Sequence, residues 1–260
     1  MQRPMIELDQ VVKRYGKFEA VKGLSFQVPQ GRIFGFLGPN GAGKTTTIRM
    51  VAGVLRPSSG HVRIGGVDVE QDAEAAKMKI GYIPDRPYLY EKLSGSEFLR
   101  FVAGLWGRNG NGTEDRADRL LDLFQLRDRK DDLIESYSHG MRQKLLITSA
   151  LVHEPELIVV DEPMVGLDPR SAKLLKDLFR TYADNGGTVF LSTHTLEVAE
   201  ALCDHIAIIN AGRIIAQGTM DELRTQAEAG GAGLEEIFLK VTGGSDIADV
   251  LTGVTGALAG

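Results

Sequence analysis

The sequence predicts an α/β fold with a mostly parallel core sheet, a small antiparallel β subdomain and an inserted helical subdomain. Two strongly apolar runs, Leu157–Val160 and Thr188–Ser192, are each followed by a segment with helical spacing, and strands that alternate with helices form parallel sheets. A third apolar run, Ile33–Leu37, leads into a glycine-rich turn and another helix. Residues 86–153 instead carry helical patterns, which indicates an insertion into the core.

The amino-terminal elements follow from local patterns. Residues 6–28 alternate apolar and polar positions and end at Pro29-Gln30-Gly31, which predicts a small antiparallel sheet. A further strand pair is expected at 61–69. In the helical segment, Ser94-Gly95-Ser96-Glu97 is a capping-box sequence, and residues 113–126 have helical apolar spacing.

The carboxyl-terminal elements resume the alternation of strand and helix. Asp168-Pro169 is typical of an N-cap followed by the first residue of a helix. A helix is expected at 196–204, a hairpin around Asn210-Ala211-Gly212, and a capped helix from Thr219. Residues 247–260 are small and glycine-rich, so they are expected to form a loose tail.

Composition excludes several classes of protein. The 30 basic and 35 acidic residues give a net charge of -5, which argues against a nucleic-acid partner. No apolar run approaches the ~18 residues of a membrane-spanning helix, and Met1–Gln10 already carries acidic residues, so no cleavable leader is expected. The single cysteine, Cys203, cannot form a disulfide within the chain, which suits a reducing cytosol. It is expected to be a small buried side chain.

The glycine-rich turn has the residue types of a phosphate-binding loop. It reads Gly38, Pro39, Asn40, Gly41, Ala42, Gly43, Lys44, Thr45 and Thr46. Its glycines let backbone N–H groups face phosphate oxygens, and the helix that begins near Gly43 adds its positive dipole end. Lys44 is predicted to bind the β- and γ-phosphates of a nucleoside triphosphate, and the Thr45 hydroxyl to ligate Mg²⁺. An ordinary glycine-rich turn is the alternative, but the strand-turn-helix context favours the phosphate loop.

Two adjacent carboxylates, Asp161 and Glu162, follow the apolar run Leu157–Val160. They are expected at the carboxyl edge of the sheet, where ligands bind in open α/β folds. There Asp161 would hold Mg²⁺ through a water molecule, and Glu162 would polarise an attacking water as a general base. Taken alone, two acids before Pro163 can simply end a strand. Beside the phosphate loop they predict hydrolysis of the triphosphate.

With these motifs, residues 5–225 resemble the nucleotide-binding subunit of an ATP-binding cassette (ABC) transporter. By this resemblance Tyr15 is the aromatic residue on which the adenine stacks, although a lone tyrosine also fits simple packing. Ser138 and Gly140 resemble the signature motif that contacts the γ-phosphate bound to a second subunit, and Ser138 also fits an N-cap. Gly166-Leu167-Asp168 resembles the D-loop between the two sites, or the plain start of a helix.

The resemblance also gives a role to His194, just after the strand Thr188–Ser192. It resembles the switch histidine that hydrogen-bonds the γ-phosphate and helps to hold the water, whereas a lone histidine is more often structural. Lys44, Glu162 and His194 are therefore the implied catalytic residues. The other histidines have no metal-ligand spacing and are given no ligand role.

Two motifs depart from the commonest family pattern. Asp85 stands where most members have a glutamine that reaches Mg²⁺, and its shorter carboxylate is expected at the metal directly or through water. Tyr137, His139 and Met141 replace the Leu, Gly and Gln of the common signature. These departures, with the carboxyl-terminal run Leu234–Lys240, resemble the subfamily whose partners are separately encoded ABC-2 type permeases, often exporters.

The resemblance implies an ATPase subunit that powers transport, with export implied by the subfamily, through a separate membrane permease. It implies ATP and Mg²⁺ as cofactors, and a homodimer that closes head to tail on ATP. The chain is expected at the cytoplasmic face of the cell membrane as a peripheral subunit. Arg86–Tyr90 with Phe98, Phe101 and Trp106 offers aromatic anchors for a permease helix, although the last three fit equally well as core residues of their own subdomain.

The expected domains are an ABC nucleotide-binding domain at 5–225, with its helical subdomain at about 86–153, and a carboxyl-terminal helix with a glycine-rich tail at 226–260. The alternative is a soluble ABC ATPase that acts on a non-membrane partner such as the ribosome. Such proteins usually carry two cassettes or a long coiled-coil insertion, and the sequence shows neither. A regulator that does not hydrolyse ATP would not need Glu162 and His194, and a GTPase would need a guanine-reading Asn-Lys-x-Asp run.

Overall fold

The structure is a computed structural model that describes residues 3–108, 110–164, 166–228 and 232–242. The strands in these residues are β1 (Ile6–Tyr15), β2 (Phe18–Val28), β3 (Ile33–Leu37), β4 (Ser59–Ile64), β5 (Val67–Asp68), β6 (Ile80–Ile83), β7 (Leu157–Asp161), β8 (Thr188–Thr193), β9 (His205–Asn210) and β10 (Arg213–Gly218). The helices are α1 (Lys44–Val51), α2 (Ala73–Met78), α3 (Gly95–Leu105), α4 (Asn111–Leu123), α5 (His139–Leu151), α6 (Pro169–Asp184), α7 (Leu196–Leu202), α8 (Met220–Gln226) and α9 (Leu234–Thr242).

The larger sheet has the strand order β10-β9-β3-β8-β7-β6. Its strands pair in parallel from β9 to β6, and β10 pairs antiparallel with β9. Leu37 at the end of β3 lies opposite Thr193 of β8, and Asp161 of β7 lies opposite Ser192 of β8. The parallel strands therefore end at one common edge, which confirms the predicted α/β fold and places Asp161 at the same edge as the start of the phosphate loop.

The smaller sheet is antiparallel, with the order β2-β1-β4-β5, as the sequence predicted. Its apolar face packs on α1 and on one face of the larger sheet. Phe26 of β2 lies between the two sheets, with its ring centroid 5.7 Å from those of both Phe34 and Phe36. This aromatic contact fixes the β1–β2 hairpin beside the phosphate loop.

Helices α3, α4 and α5 lie between β6 and β7 along the chain. The predicted capping box at the start of α3 is confirmed, because Ser94 Oγ accepts from Glu97 N–H and the Glu97 carboxylate accepts from Ser94 N–H. Phe98 and Phe124 are buried in the same apolar cluster as Val160 of β7. These helices therefore share one core with the second face of the larger sheet.

Several boundaries differ from the sequence expectation. Helix α4 begins at Asn111 and ends at Leu123, because Phe124 and Leu126 leave the helix to become buried. Helix α7 ends at Leu202, and Cys203 takes an extended conformation with ψ 136° just beyond it. Helix α2 and strand β6 were missed, because six and four residues are too few to show a period.

The single cysteine packs against β3, as a small side chain should. A Cβ added at Gly35 would lie 2.7 Å from the Cys203 sulfur, and burial raises the pKa of this thiol.

Helices α8 and α9 pack beside α7 through a cluster that includes Leu223, Leu234 and Ile237. The tail expected at 247–260 lies outside the described residues. None of the helices within them is both long and apolar enough to span a bilayer.

Candidate active site

The phosphate loop connects β3 to α1, and its path passes close to neighbouring backbone. A Cβ added at Gly38 would lie 2.2 Å from the Ile209 carbonyl oxygen. One added at Gly43, where φ is +109°, would lie 2.7 Å from the Ala20 carbonyl oxygen. Only glycine fits at these two positions. The tip of the loop is exposed at Pro39, Asn40 and Gly41, whereas Ala42 is buried and Thr45 and Thr46 are half-buried.

The Lys44 side chain is directed into this loop and is only 7% exposed. Its ammonium donates to the carbonyl oxygens of Gly38 at 2.7 Å and Pro39 at 3.2 Å. Burial lowers the pKa of Lys44, while the carboxylates of Glu162 and Asp161 act in the opposite direction. A cation whose hydrogen-bond partners, among the described residues, are neutral carbonyl oxygens of a glycine-rich loop is suited to bind an incoming anion.

Asp161 ends β7 and is 1% exposed. The Ser192 hydroxyl donates to Oδ1, whereas Oδ2 is buried without a hydrogen-bond partner in the described residues. Burial raises the pKa of Asp161, the hydroxyls of Ser192 and Thr45 lower it, and the charges of Asp85 and Glu162 raise it again. These interactions show that Thr45, Asp85 and Asp161 share one end of the sheet, as predicted.

The donor set fits a hard divalent cation. The Asp161 Oδ2 atom without a partner, the Thr45 hydroxyl and the Asp85 carboxylate are all oxygen donors, which Mg²⁺ prefers. Across the described ranges, no group of three or more His, Cys, Asp or Glu side chains could hold a metal alone. Mg²⁺ usually keeps few protein ligands and uses substrate phosphates for the rest, so a metal here would need the nucleotide.

Glu162 and His194 form a direct pair at the same edge. His194 Nδ1 lies 2.8 Å from Glu162 Oε1, and the two side chains are 57% and 18% exposed, respectively. Glu162 has φ +52°, an uncommon left-handed conformation, and its N–H donates to the Ser192 carbonyl at 3.1 Å. Backbone strain of this kind is often found at functional sites. The conformation aims the carboxylate away from the sheet and toward His194.

Tyr15 is half-exposed at the end of β1, so it does not belong to the core. Tyr15 pairs with Phe18 across the hairpin. Two residues further along β2, the carbonyl of Ala20 lies close to Gly43 of the phosphate loop. The hairpin therefore brings Tyr15 to the side of the phosphate loop. The Lys13 ammonium lies 5.4 Å from its ring centroid.

The predicted signature residues lie at the exposed start of α5. Ser138 is the N-cap, and its side chain accepts from Met141 N–H at 3.3 Å. Among the described residues, a Cβ added at Gly140 would have only the Gly166 carbonyl within 4 Å, at 3.5 Å. In the described part of the chain, no hydrogen bond joins Ser138 or Gly140 to the phosphate loop. The structure thus brings together all the predicted site residues except these two.

Comparison with known proteins decides the family. The family model described as ABC transporter matches residues 21–165, which is more than half of the chain. The chain belongs to the ABC transporter family. A daunorubicin resistance ATP-binding protein of Streptomyces coeruleorubidus is 40% identical over 253 residues, covering 96% of this chain and 79% of that protein. A linearmycin resistance ATP-binding protein of Bacillus subtilis is 40% identical, covering 84% and 70%.

Solved structures agree with this assignment. An ATP-binding subunit of an ABC transporter superimposes with a TM-score of 0.88 at 34% identity, covering 92% of this chain and 99% of that one. A dimeric ATP-binding cassette in a post-hydrolysis state with ADP and Pi superimposes with a TM-score of 0.77 at 22% identity, which supports the fold alone. The protein is thus an ATP-binding subunit of an ABC transporter and an ATPase.

Two features of this ABC ATPase were missed from the sequence. Ser192, which donates to Asp161, was assigned only to a strand, because the pair depends on the register of β7 and β8, which has no local sequence signal. The contact between α5 and α6, where Lys144 Nζ lies 3.5 Å from Asp168 Oδ2, had no sequence signal because it joins segments that are distant along the chain.

Proposed function

We propose that this ABC ATPase hydrolyses Mg-ATP in a head-to-tail homodimer and thereby powers export through a separately encoded ABC-2 type permease. The observation that carries the proposal is the Glu162–His194 pair beside Lys44 and Asp161 at one end of the sheet. That arrangement combines a general base, a cation for phosphates and a carboxylate for a metal. Those are the groups that phosphoryl transfer to water needs.

Nucleotide binding is assigned to the loop Gly38–Thr46 and to Tyr15. The loop offers backbone N–H groups at the start of α1, and Lys44 can exchange its two carbonyl partners for phosphate oxygens. Thr45, Asp161 and Asp85 would hold Mg²⁺. When bound, the metal neutralises charge on the phosphates. The exposed ring of Tyr15 provides a stacking surface for the adenine.

The proton transfer is assigned to Glu162. A carboxylate can only accept, so His194 Nδ1 carries the hydrogen in the 2.8 Å contact. That bond holds Oε1 and orients the side chain, which leaves Oε2 to accept a proton from water. A positioned general base typically contributes about 10²–10⁴-fold in rate. His194 thus orients the base and closes one side of the space in which water is activated.

A second copy of the chain is assigned to complete the site. Ser138 and Gly140 lie at the exposed start of α5, where backbone N–H groups and the helix dipole favour an anion. Among the described residues, no hydrogen bond joins them to the phosphate loop of their own chain. A head-to-tail dimer would place them over the γ-phosphate bound to the other copy, and removal of that phosphate would let the dimer open.

The permease is proposed to bind in a groove of about 360 Å³ between α3 and the edge of the larger sheet. Tyr88, Tyr90 and Phe101 line it and are 74%, 61% and 43% exposed. Phe98 is buried as a core residue and Trp106 is half-buried, so these two form its floor. An apolar groove with aromatic walls fits a short amphipathic helix, here a cytoplasmic helix of the permease.

The relatives support export at a membrane. Two are named for drug resistance, and a third, a Nod factor export ATP-binding protein of Cupriavidus metallidurans, is 38% identical over 84% of this chain. We place the chain as a peripheral subunit on the cytoplasmic face, with the nucleotide-binding domain at 5–225, its helical subdomain at about 86–153 and a separate carboxyl-terminal segment at 226–260. A ribosome-associated role has no such support.

The test is the oligomeric mass of the Glu162→Gln protein, measured by light scattering with and without Mg-ATP. An ATP-dependent dimer without turnover is expected, because the glutamine keeps the shape of the side chain but accepts protons poorly. Lys44→Ala is the control, since it should bind ATP weakly and remain a monomer. Full hydrolysis by Glu162→Gln would exclude its role as the base. A monomer with bound ATP would exclude a dimer formed by this chain alone.

A further inference from the structure

His139 is the first residue of α5, between the two proposed signature residues, and its ring packs against a loop of its own chain. A Cβ added at Gly166 would lie 2.4 Å from His139 Nε2 and 2.6 Å from its Cδ2. Gly166 has φ +80°, a conformation that glycine tolerates and that a side chain would strain. The imidazole therefore occupies the space in which a side chain at position 166 would lie.

Other contacts join the same two segments. Gly140 approaches the Gly166 carbonyl, and Lys144 Nζ, one turn further along α5, lies 3.5 Å from the Asp168 carboxylate that caps α6. Met141 and Leu167 pack against one common apolar cluster. The start of α5 and residues 166–168 thus touch at several points. Among the described residues, His139 is the largest exposed side chain in this contact.

We propose that His139 is a positioning residue that joins the signature segment to residues 166–168 of the same chain, so that both meet the second subunit as one rigid surface. The inference rests on the proposed head-to-tail dimer. A glycine at position 139 would remove the ring and leave a gap beside Gly166. Each segment would then need to be ordered when the dimer closes, and ordering groups at an interface weakens association.

The test uses the Glu162→Gln protein, whose dimer should persist with Mg-ATP, and measures its dimer dissociation constant by sedimentation. His139→Gly should raise this constant by about tenfold. Affinity of the monomer for ATP and the melting temperature should change little, because the contact is exposed and lies away from the phosphate loop. His139→Phe restores a planar ring and should return the dissociation constant to near that of the parent.

A double-mutant cycle isolates the contact itself. Gly166→Ala places a methyl group against the imidazole and also strains the backbone at φ +80°. The strain is present whether position 139 is His or Gly, so it cancels in the cycle. Gly166→Ala should therefore weaken the dimer more strongly with His139 than in the His139→Gly background, and a far-ultraviolet spectrum checks that each variant is folded.

The outcomes separate the two proposals. Independent effects of the two substitutions, or a His139→Gly dimer as tight as the parent, would overturn the positioning role. A His139→Phe variant as weak as His139→Gly would overturn it in favour of a direct phosphate contact by the imidazole. If the parent Glu162→Gln protein forms no dimer with Mg-ATP, the proposed dimer of this chain alone is excluded, and this inference fails with it.

Discussion

Asp161→Asn should make the nucleotide-free protein more stable at neutral pH, although it removes a residue that the site needs. The protein buries this carboxylate at 1% exposure, leaves Oδ2 without a partner in the described residues, and places Asp85 and Glu162 nearby. The asparagine oxygen can keep the hydrogen bond from Ser192 while the charge is lost. The asparagine Nδ2 takes the place of Oδ2 and is equally without a partner among the described residues, so the gain comes from the lost charge. A buried group without a partner costs more when it is charged than when it is neutral, and we expect removal of the charge to recover about 1 kcal/mol.

The pH dependence follows from the raised pKa of Asp161. For an acid whose pKa is raised on folding, the stabilising contribution is fully present below the unfolded-state pKa and is lost as the pH rises through the folded-state pKa. The unchanged protein should therefore lose stability relative to Asp161→Asn as the pH rises from the acid side toward neutrality. The difference in stability between the two proteins should become small at acid pH, where Asp161 is protonated.

The assay is thermal unfolding in EDTA without nucleotide, from about pH 3, below the ordinary pKa of 3.8, to about pH 8. One kcal/mol shifts the melting temperature of a protein of this size by about 2–4 °C. Ser192→Ala is the matched control. It keeps the charge of Asp161 but removes the hydroxyl that donates to this carboxylate, so it should lower the melting temperature. The reasoning is refuted if Asp161→Asn melts below the unchanged protein at pH 7, or if the gap does not vary with pH.

Three further predictions concern the phosphate loop, the adenine and a helix cap. Gly38→Ala puts a methyl group 2.2 Å from the Ile209 carbonyl and should weaken ATP binding at least about tenfold in a titration. Gly112→Ala, which meets no atom of the described residues within 4 Å, should not weaken it. Tyr15→Ala should weaken ATP by about 1–2 kcal/mol in the same titration, and Tyr15→Phe should not, because stacking needs only the ring. Hydrogen bonds from Ser171 lower the pKa of Asp168, the N-cap of α6, to about 2. The stabilising effect of this ionised carboxylate is present above its ordinary pKa of 3.8 and is lost as the pH falls through about 2. Asp168→Asn should therefore make stability less dependent on pH between about 4 and 2 in an acid unfolding experiment.

The sequence predicted much of the fold and site because both follow from short-range patterns. Strands such as Leu157–Asp161 are buried throughout, and parallel strands must end at one edge. The sequence alone therefore predicts that Asp161 and Glu162 lie beside the phosphate loop. The capping box at Ser94 and the N-cap at Asp168 could also be predicted, because each depends on residues within one turn of a helix.

What the sequence could not predict depends on contacts between distant segments. The bond from Ser192 to Asp161 requires the register of β7 and β8, and the packing of His139 on Gly166 requires the placement of α5 against the start of α6. Neither has a local pattern. Cys203 illustrates the same limit, because the helix before it ends when the chain turns to pack against Gly35.

Three unfavourable features of the nucleotide-free protein occur together in the site. Among the described residues, Lys44 is buried with only carbonyl partners and Asp161 has an oxygen without a partner, and Glu162 has a left-handed backbone conformation. A phosphate can satisfy the first, and a metal ion can satisfy the second. Binding Mg-ATP would therefore relieve costs that the fold itself bears, and that relief adds to the affinity for nucleotide. A more stable Asp161→Asn protein would therefore indicate that Asp161 is kept for the reaction and not for the fold.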